Sequence, residues 1–336
     1  MRAFVVSKLD RYSNIPLSYD APEPQVGPNQ VLVEIYSAAL NFFETLQTQG
    51  KYQNKPPLPF VLGCEFAGRI SQNSPIPEGC PFKRGDRVFG AGQGAYADRM
   101  SVDVDSLLPL PDTLSYDEGA GLYITWPTSY EGLVGRAEMK PGEWVLVTAA
   151  AGGVGISAVQ LAKVLGGNVI AAAGSEEKLQ VAKQAGADFV VDYNKDGWQQ
   201  EVLKITNGKG VDVVYDPVGR IQESLKCIRW KGRALVVGFA GGNIEKVPMN
   251  LVLLKNISIV GLHWGAYRIH EIGRIDQVWN DILQLFNSKR VKPIVYSKVY
   301  SFDRLHDALS ALENRETWGK AIVRMREDDS GTRPKL

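Results

Sequence analysis

TAAAGGVGISAVQLAK, residues Thr148 to Lys163, reads as a nucleotide-binding turn in which one glycine is missing. The dinucleotide fingerprint G-x-G-x-x-G lies between a strand and a helix, and its three glycine positions here hold Ala150, Gly152 and Gly155. The flanks settle the reading: EWVLVTAA ahead of the turn is a strand, and VGISAVQLAKVLG behind it is a helix. Gly152 and Gly153 leave out side chains where backbone must approach a pyrophosphate. The helix starting at Val154 offers unpaired N–H groups and a partial positive charge. Gly155 lets that helix sit close to the strand, and Ala150 is tolerated there provided its φ is negative.

Outward from this turn the pattern repeats. Apolar strands EWVLVTAA, NVIAAAG, DFVVDY, VDVVYDP, RALVVGFA and ISIVGLHW run from about Glu143 to Trp264, most of them separated by helical stretches. Continuously apolar strands alternating with helices predict a doubly wound parallel sheet, an α/β fold. SEEKLQVAKQAG shows the local logic: Ser175 is the N-cap, Leu179, Ala182 and Ala185 share a helical face, and Gly186 ends it. Before Trp126 the texture changes to short β-like runs broken by Pro and Gly, an irregular β-rich domain. The helix QVWNDILQLFNSK, PIVYSKVY, the helix RLHDALSALEN and the strand GKAIVRM then break the βαβ rhythm. They are expected to return to the first domain, which makes the nucleotide domain an insertion.

The 336 residues carry a formal net charge of +1 and 44% hydrophobic content. That is enough chain for two domains, and it lacks the electrostatic footprint of a nucleic-acid binder or a polybasic membrane anchor. The expected partner is a small molecule, with no nucleic acid and no membrane. MRAFVVSKLDRYSN has no long apolar core, so a cytoplasmic location is expected; the C-terminal PKL loosely echoes a peroxisomal S-K-L address. Cys64, Cys80 and Cys227 are too few and too scattered for a disulfide framework or paired zinc ligands.

Cofactor preference is read at the end of the next strand. An NAD enzyme carries Asp or Glu there to grip the ribose 2′-hydroxyl, whereas this chain has Gly174, then Ser175, then Lys178 one helical turn on. A hydroxyl and a cation suit a 2′-phosphate, so NADPH is favoured. Glu176 and Glu177 beside them suit the first turn of a helix.

AALNFFETLQTQGKY, PFVLGCEFAGRI, GDRVFG with GAYAD, AAAGGVG, GSEEK with DY downstream, and GKAIVRM, taken in order, resemble the zinc-independent quinone oxidoreductases of the medium-chain dehydrogenase/reductase superfamily, the zeta-crystallin group. The resemblance runs from Met1 to about Met325. It implies a GroES-like substrate domain at 1–125, a Rossmann NADPH-binding domain at 126–265, a return to the substrate domain over 266–326 and a flexible tail at 327–336. It further implies an active site in the cleft between the domains and a homodimer in which NISIVGLHW pairs across the two-fold.

Zinc relatives place a catalytic Cys in the segment that here reads SAALNFFE and a G-H-E motif where this chain has Gly63, Cys64 and Glu65; both ligand positions are lost, and His263, His270 and His306 are scattered. No metal is expected. Without a Lewis acid the acceptor must itself be a good hydride acceptor, a quinone or an alkene conjugated to a carbonyl. The resemblance maps substrate contacts to Asn41, Tyr52 and Trp264. It maps cofactor contacts to Thr128, Gly152, Gly153, Val154, Ser175, Lys178, Tyr193, Phe239, Ala240 and His263. An enone, alkenal or enoyl-thioester reductase, and an NADPH-binding protein without catalysis, are the alternatives.

Overall fold

The computed structural model describes residues 1–327, so the C-terminal Pro-Lys-Leu and nearly all of the polar tail lie outside the described residues. The chain divides into two compact units, one of Met1–Ile124 with the chain from Pro293 onward, the other of Thr125–Lys292.

All six predicted strands of the second unit form: β1 Trp144–Val147, β2 Asn168–Ala173, β3 Phe189–Asp192, β4 Val211–Asp216, β5 Ile228–Val236 and β6 Ser258–Gly261. They pair in parallel in the order β3-β2-β1-β4-β5-β6. This is the Rossmann order, in which the winding reverses between β1 and β4 and leaves a crevice at their carboxyl ends. Helices Gly153–Val164, Glu176–Gln184 and Trp198–Ile205 fill the crossovers. Every residue of β4 is buried, as a strand covered on both faces requires.

In the first unit a mixed, largely antiparallel sheet is built on the strand Gln30–Ala39, whose first eight residues alternate between half-buried and buried. Glu65–Ile70, Arg99–Asp103 and Ile322–Arg324 pair with it antiparallel. One core runs through this unit, from Phe4 and Val33 to Phe66, Phe302 and Val323.

One expected boundary is wrong. Residues 266–292 do not return to the first unit; the return begins at Pro293. The helix Ile272–Asn287 buries Val278, Trp279, Ile282 and Phe286. The Phe286 ring meets Trp126 edge-on at 4.6 Å, and Asp281 accepts the Tyr130 hydroxyl at 2.7 Å. Its partner is thus the helix Thr125–Glu131, which belongs to the nucleotide-type unit. Amphipathic spacing fixes that a helix has a face to bury, not which neighbour buries it.

Candidate functional site

The glycine turn follows directly from β1. Ala149 sits at φ +45°, the left-handed region, while Ala150 does not, so the residue doing what a glycine would do comes one position earlier than the fingerprint suggests. Gly152 is the N-cap of the helix Gly153–Val164. A Cβ on Gly155 would stand 2.8 Å from Ala150 Cα and closer still to the Ala149 carbonyl oxygen, both of them backbone. This glycine therefore permits the strand-to-helix contact, and the first N–H groups of Gly153, Val154 and Gly155 have no carbonyl within their own helix.

At the ends of β1 and β4 one carboxylate organises the floor. Asp216 accepts the Thr148 hydroxyl and the backbone N–H groups of Val218 (3.3 Å), Gly219 (3.0 Å) and Arg220 (2.6 Å). Burial raises its pKa even against those four donors. Val237 N–H donates to Asp216 O, and Ala240 N–H to Pro217 O at 3.2 Å, so the loop of Phe239 and Ala240 after β5 is tied to the loop after β4.

The end of β2 carries the groups read from sequence. Ser175 caps the helix Glu176–Gln184; its Oγ accepts the Lys178 N–H at 3.4 Å and keeps its own proton to donate. Gly174 leaves space already taken by neighbours: a Cβ there would lie 3.1 Å from the Tyr193 ring and 2.7 Å from Asn194 Nδ2, which donates to Gly174 O. The Arg220 guanidinium lies over the Tyr193 ring at 4.2 Å while pairing with Glu223. Sequence reading missed this second cation, because nothing local ties position 220 to position 193.

Thr128 lies half-buried on the helix Thr125–Glu131, and that helix is joined to the glycine turn where Ser129 Oγ donates to Val154 O at 2.9 Å. His263 and Trp264 follow β6, with His263 exposed and the Trp264 ring 4.9 Å from Tyr267. The Tyr267 hydroxyl donates to the buried Glu131 carboxylate at 3.1 Å, and Arg274 completes that group. Thr128, Gly152, Gly153, Val154, Ser175, Lys178, Tyr193, Phe239, Ala240, His263 and Trp264 thus all belong to one unit, and all but Thr128 follow the carboxyl end of a strand.

Asn41 and Tyr52 belong to the first unit. Asn41 is the N-cap of the helix Phe42–Gln47, and its backbone N–H donates to Glu44 at 2.9 Å. Its side-chain amide, 8% exposed, is engaged by two charged groups, Glu65 and Lys320. Tyr52 stacks on Phe43 at 4.8 Å, and burial raises its phenol, which therefore keeps its proton at neutral pH. Cys64 lies near Tyr52, and burial, with Glu44 and Glu65 alongside, pushes its thiol up. Beyond the helix, Leu9, Gln47, Gly50, Pro56, Leu58 and Phe60 line a cavity of about 240 Å³. Glu44 was legible as the last residue of an N-x-x-E capping pattern. Lys320, 255 positions from Glu65, left no local signal.

No group of three or more His, Cys, Asp or Glu side chains among the described residues is arranged to hold a metal ion, and no helix there is long and apolar enough to cross a membrane.

The family of alcohol dehydrogenase GroES-like domains matches residues 27–112, and the family of zinc-binding dehydrogenases matches residues 153–287. Quinone oxidoreductase-like protein 2 of Mus musculus is 37% identical over 310 residues, covering 91% of this chain and 87% of the relative. The quinone oxidoreductase of Rattus norvegicus is 33% identical, over 89% of this chain and 90% of its own. Among solved structures, Escherichia coli quinone oxidoreductase complexed with NADPH superposes with a TM-score of 0.86 at 29% identity, covering 97% of this chain and 100% of that one.

Proposed function

The chain belongs to the medium-chain dehydrogenase/reductase superfamily, as a quinone oxidoreductase-like member of its zinc-binding dehydrogenase family, and on that footing we propose that it is an NADPH-dependent oxidoreductase that reduces a quinone or a related conjugated carbonyl without a metal. The observation that carries the reading is the end of β2: a hydroxyl with an unspent proton and a lysine stand where an NAD enzyme needs a carboxylate.

The residues present fit NADPH. The helix Gly153–Val164 turns its first N–H groups toward the carboxyl ends of the sheet, which suits a pyrophosphate. Ser175 and Lys178 suit the 2′-phosphate, with Tyr193 and its stacked Arg220 beside the adenine end. Thr128, Phe239, Ala240 and His263 are assigned to the remainder of the cofactor. When bound, NADPH supplies the hydride that reduces the acceptor. Asn41 donates a hydrogen bond to the acceptor oxygen, stabilising charge as it develops there. Tyr52 and Phe43 offer a flat apolar face against which a planar ring is oriented, and the Trp264 indole, braced on Tyr267, offers another. Gly63, Cys64 and Glu65 where the zinc relatives carry G-H-E, and the lack of a cysteine in SAALNFFE, support metal independence.

A homodimer is part of the same reading. Strand β6 lies at the sheet edge, and the helix Met249–Lys255 just before it buries none of its residues, leaving Met249, Leu253 and Leu254 about 70% exposed or more. A second copy of this chain would cover them.

An NADPH-oxidation panel of ortho-quinones, para-quinones, enals and enoyl thioesters, with and without a chelator, tests the proposal. Quinones as the best acceptors, with no response to the chelator, are the expected result. A preference for enals or thioesters moves the assignment to the reductase branch. Loss of turnover with the chelator refutes metal independence, and NADPH binding with no oxidation by any acceptor refutes catalysis.

A further inference from the structure

The Asn41 side chain is held at both ends. Lys320 Nζ donates to Asn41 Oδ1 at 2.9 Å and to the Leu40 carbonyl at 3.0 Å, while Asn41 Nδ2 donates to Glu65 Oε1 at 3.1 Å. Lys320 and Glu65 are themselves ion-paired, which closes a ring of three side chains, all of them buried. The second Glu65 oxygen accepts the Ile124 N–H at 3.2 Å. The ring draws on three distant segments: the helix cap at Asn41, the start of the strand Glu65–Ile70 and the residues just before the strand Ile322–Arg324.

This arrangement permits one orientation of the amide. A half-turn about its terminal torsion would set the NH2 group against an ammonium and the carbonyl oxygen against a carboxylate, replacing two attractive contacts with two repulsive ones. One Nδ2 proton is spent on Glu65. The other is the donor left for a ligand, and the ammonium on Oδ1 polarises the amide so that this proton is more acidic than in a free asparagine. Stability alone does not account for the ring, since a buried ion pair is commonly matched or bettered by apolar side chains of the same volume.

We propose that Glu65 and Lys320 are positioning residues that lock the Asn41 amide so that its free N–H points at the acceptor oxygen before the acceptor arrives. The proposal rests on the assignment of Asn41 to the acceptor made above. In this view the ring takes over part of the role that a Lewis acid plays elsewhere, by presenting a fixed, polarised donor that needs no reorganisation during reduction.

A double-mutant cycle on the full-length protein tests this. Asn41→Ala, Glu65→Gln and the two combined are compared by the single-turnover rate of NADPH oxidation at saturating acceptor, by the Kd for NADPH from fluorescence titration, and by thermal unfolding. Glu65→Gln keeps the shape but presents an amide, which lets Asn41 flip. Asn41→Ala is expected to slow the reaction by about a hundredfold and Glu65→Gln by about tenfold, each leaving the NADPH Kd within about twofold. The combined variant should be no slower than Asn41→Ala alone, because Glu65 acts through Asn41. If Glu65→Gln does not fold, Glu65→Leu/Lys320→Met, which removes both charges together, takes its place in the cycle. An unchanged rate in the Glu65 variant, or losses that multiply in the combined variant, overturns the proposal. Full activity in Asn41→Ala overturns the acceptor assignment itself, and the positioning role with it.

Discussion

Replacing Glu44 by Gln should remove one component of the pH dependence of the folding stability. The Glu44 carboxyl is fully buried; Oε2 meets the Asn41 N–H at 2.9 Å and the Tyr96 hydroxyl, while Oε1 has no partner at all. Burial dominates and pushes the group from 4.5 up to about 7, against the pull of Tyr96, Asn41 and Lys320 and with a further push from Glu65. Tyr96 O–H and Asn41 N–H both donate to Oε2, and holding a proton spares the bare Oε1 a buried negative charge. With the folded pKa above the unfolded one, the native state holds the proton more tightly. Below about pH 4.5 both states are protonated and nothing is lost. Between about 4.5 and 7 the unfolded chain ionises first, so stability falls as pH rises, and above about 7 the loss is complete. At about 1.4 kcal/mol per pH unit, the interval from 4.5 to about 7 amounts to about 3 kcal/mol.

The amide introduced by Glu44→Gln would not titrate, and its carbonyl oxygen still accepts the Asn41 N–H. Urea unfolding of both proteins from pH 4.5 to 8, followed by tryptophan fluorescence, isolates the effect, because all other groups titrate alike in the two chains and cancel in the difference. Relative to the parent, Glu44→Gln should gain about 2–3 kcal/mol on going from pH 5 to pH 8. A difference that stays flat, or that changes in the opposite direction, refutes the claim that Glu44 is held neutral by burial.

Lys178→Ala should weaken NADPH binding by about tenfold or more and leave NADH nearly unaffected, since one charge-assisted hydrogen bond is removed; equal losses in fluorescence titrations with both nucleotides would count against the 2′-phosphate assignment. Gly155→Ala, forced against the Ala149 and Ala150 backbone, should cost about 1–3 kcal/mol in thermal unfolding and weaken NADPH binding as the turn shifts. Unchanged stability would mean that the turn is looser than described. Leu253→Asp should convert the proposed dimer to monomers in light scattering, and a dimer that persists in the variant would place the interface elsewhere.

Much of the nucleotide unit is legible because its signals are local. Continuous apolar runs define β1 to β6, and Ser175 and Gly186, the latter at φ +110°, bracket the helix between β2 and β3. The turn itself is legible, and Ala150 avoids the left-handed region as expected; that backbone falls on Ala149, which the fingerprint's spacing does not identify. The helix Ile272–Asn287 is visible in the sequence and its partner is not, since the Trp126 and Glu131 contacts join positions more than a hundred residues apart. The same holds for the ring around Asn41. A cap and a candidate ligand contact can be read there, but the lysine that fixes its amide enters from the far end of the chain.

The packing around Gly174 bears on any attempt to re-engineer nucleotide preference. Introducing aspartate at this position, the obvious route toward NADH, would bring its first carbon against the Asn194 amide and the Tyr193 ring and would break the hydrogen bond from Asn194 to the main chain. The Asn194 side chain must therefore swing away from Gly174 before a carboxylate can stand there, so varying position 194 together with the 174–178 segment opens the route that varying the segment alone leaves obstructed.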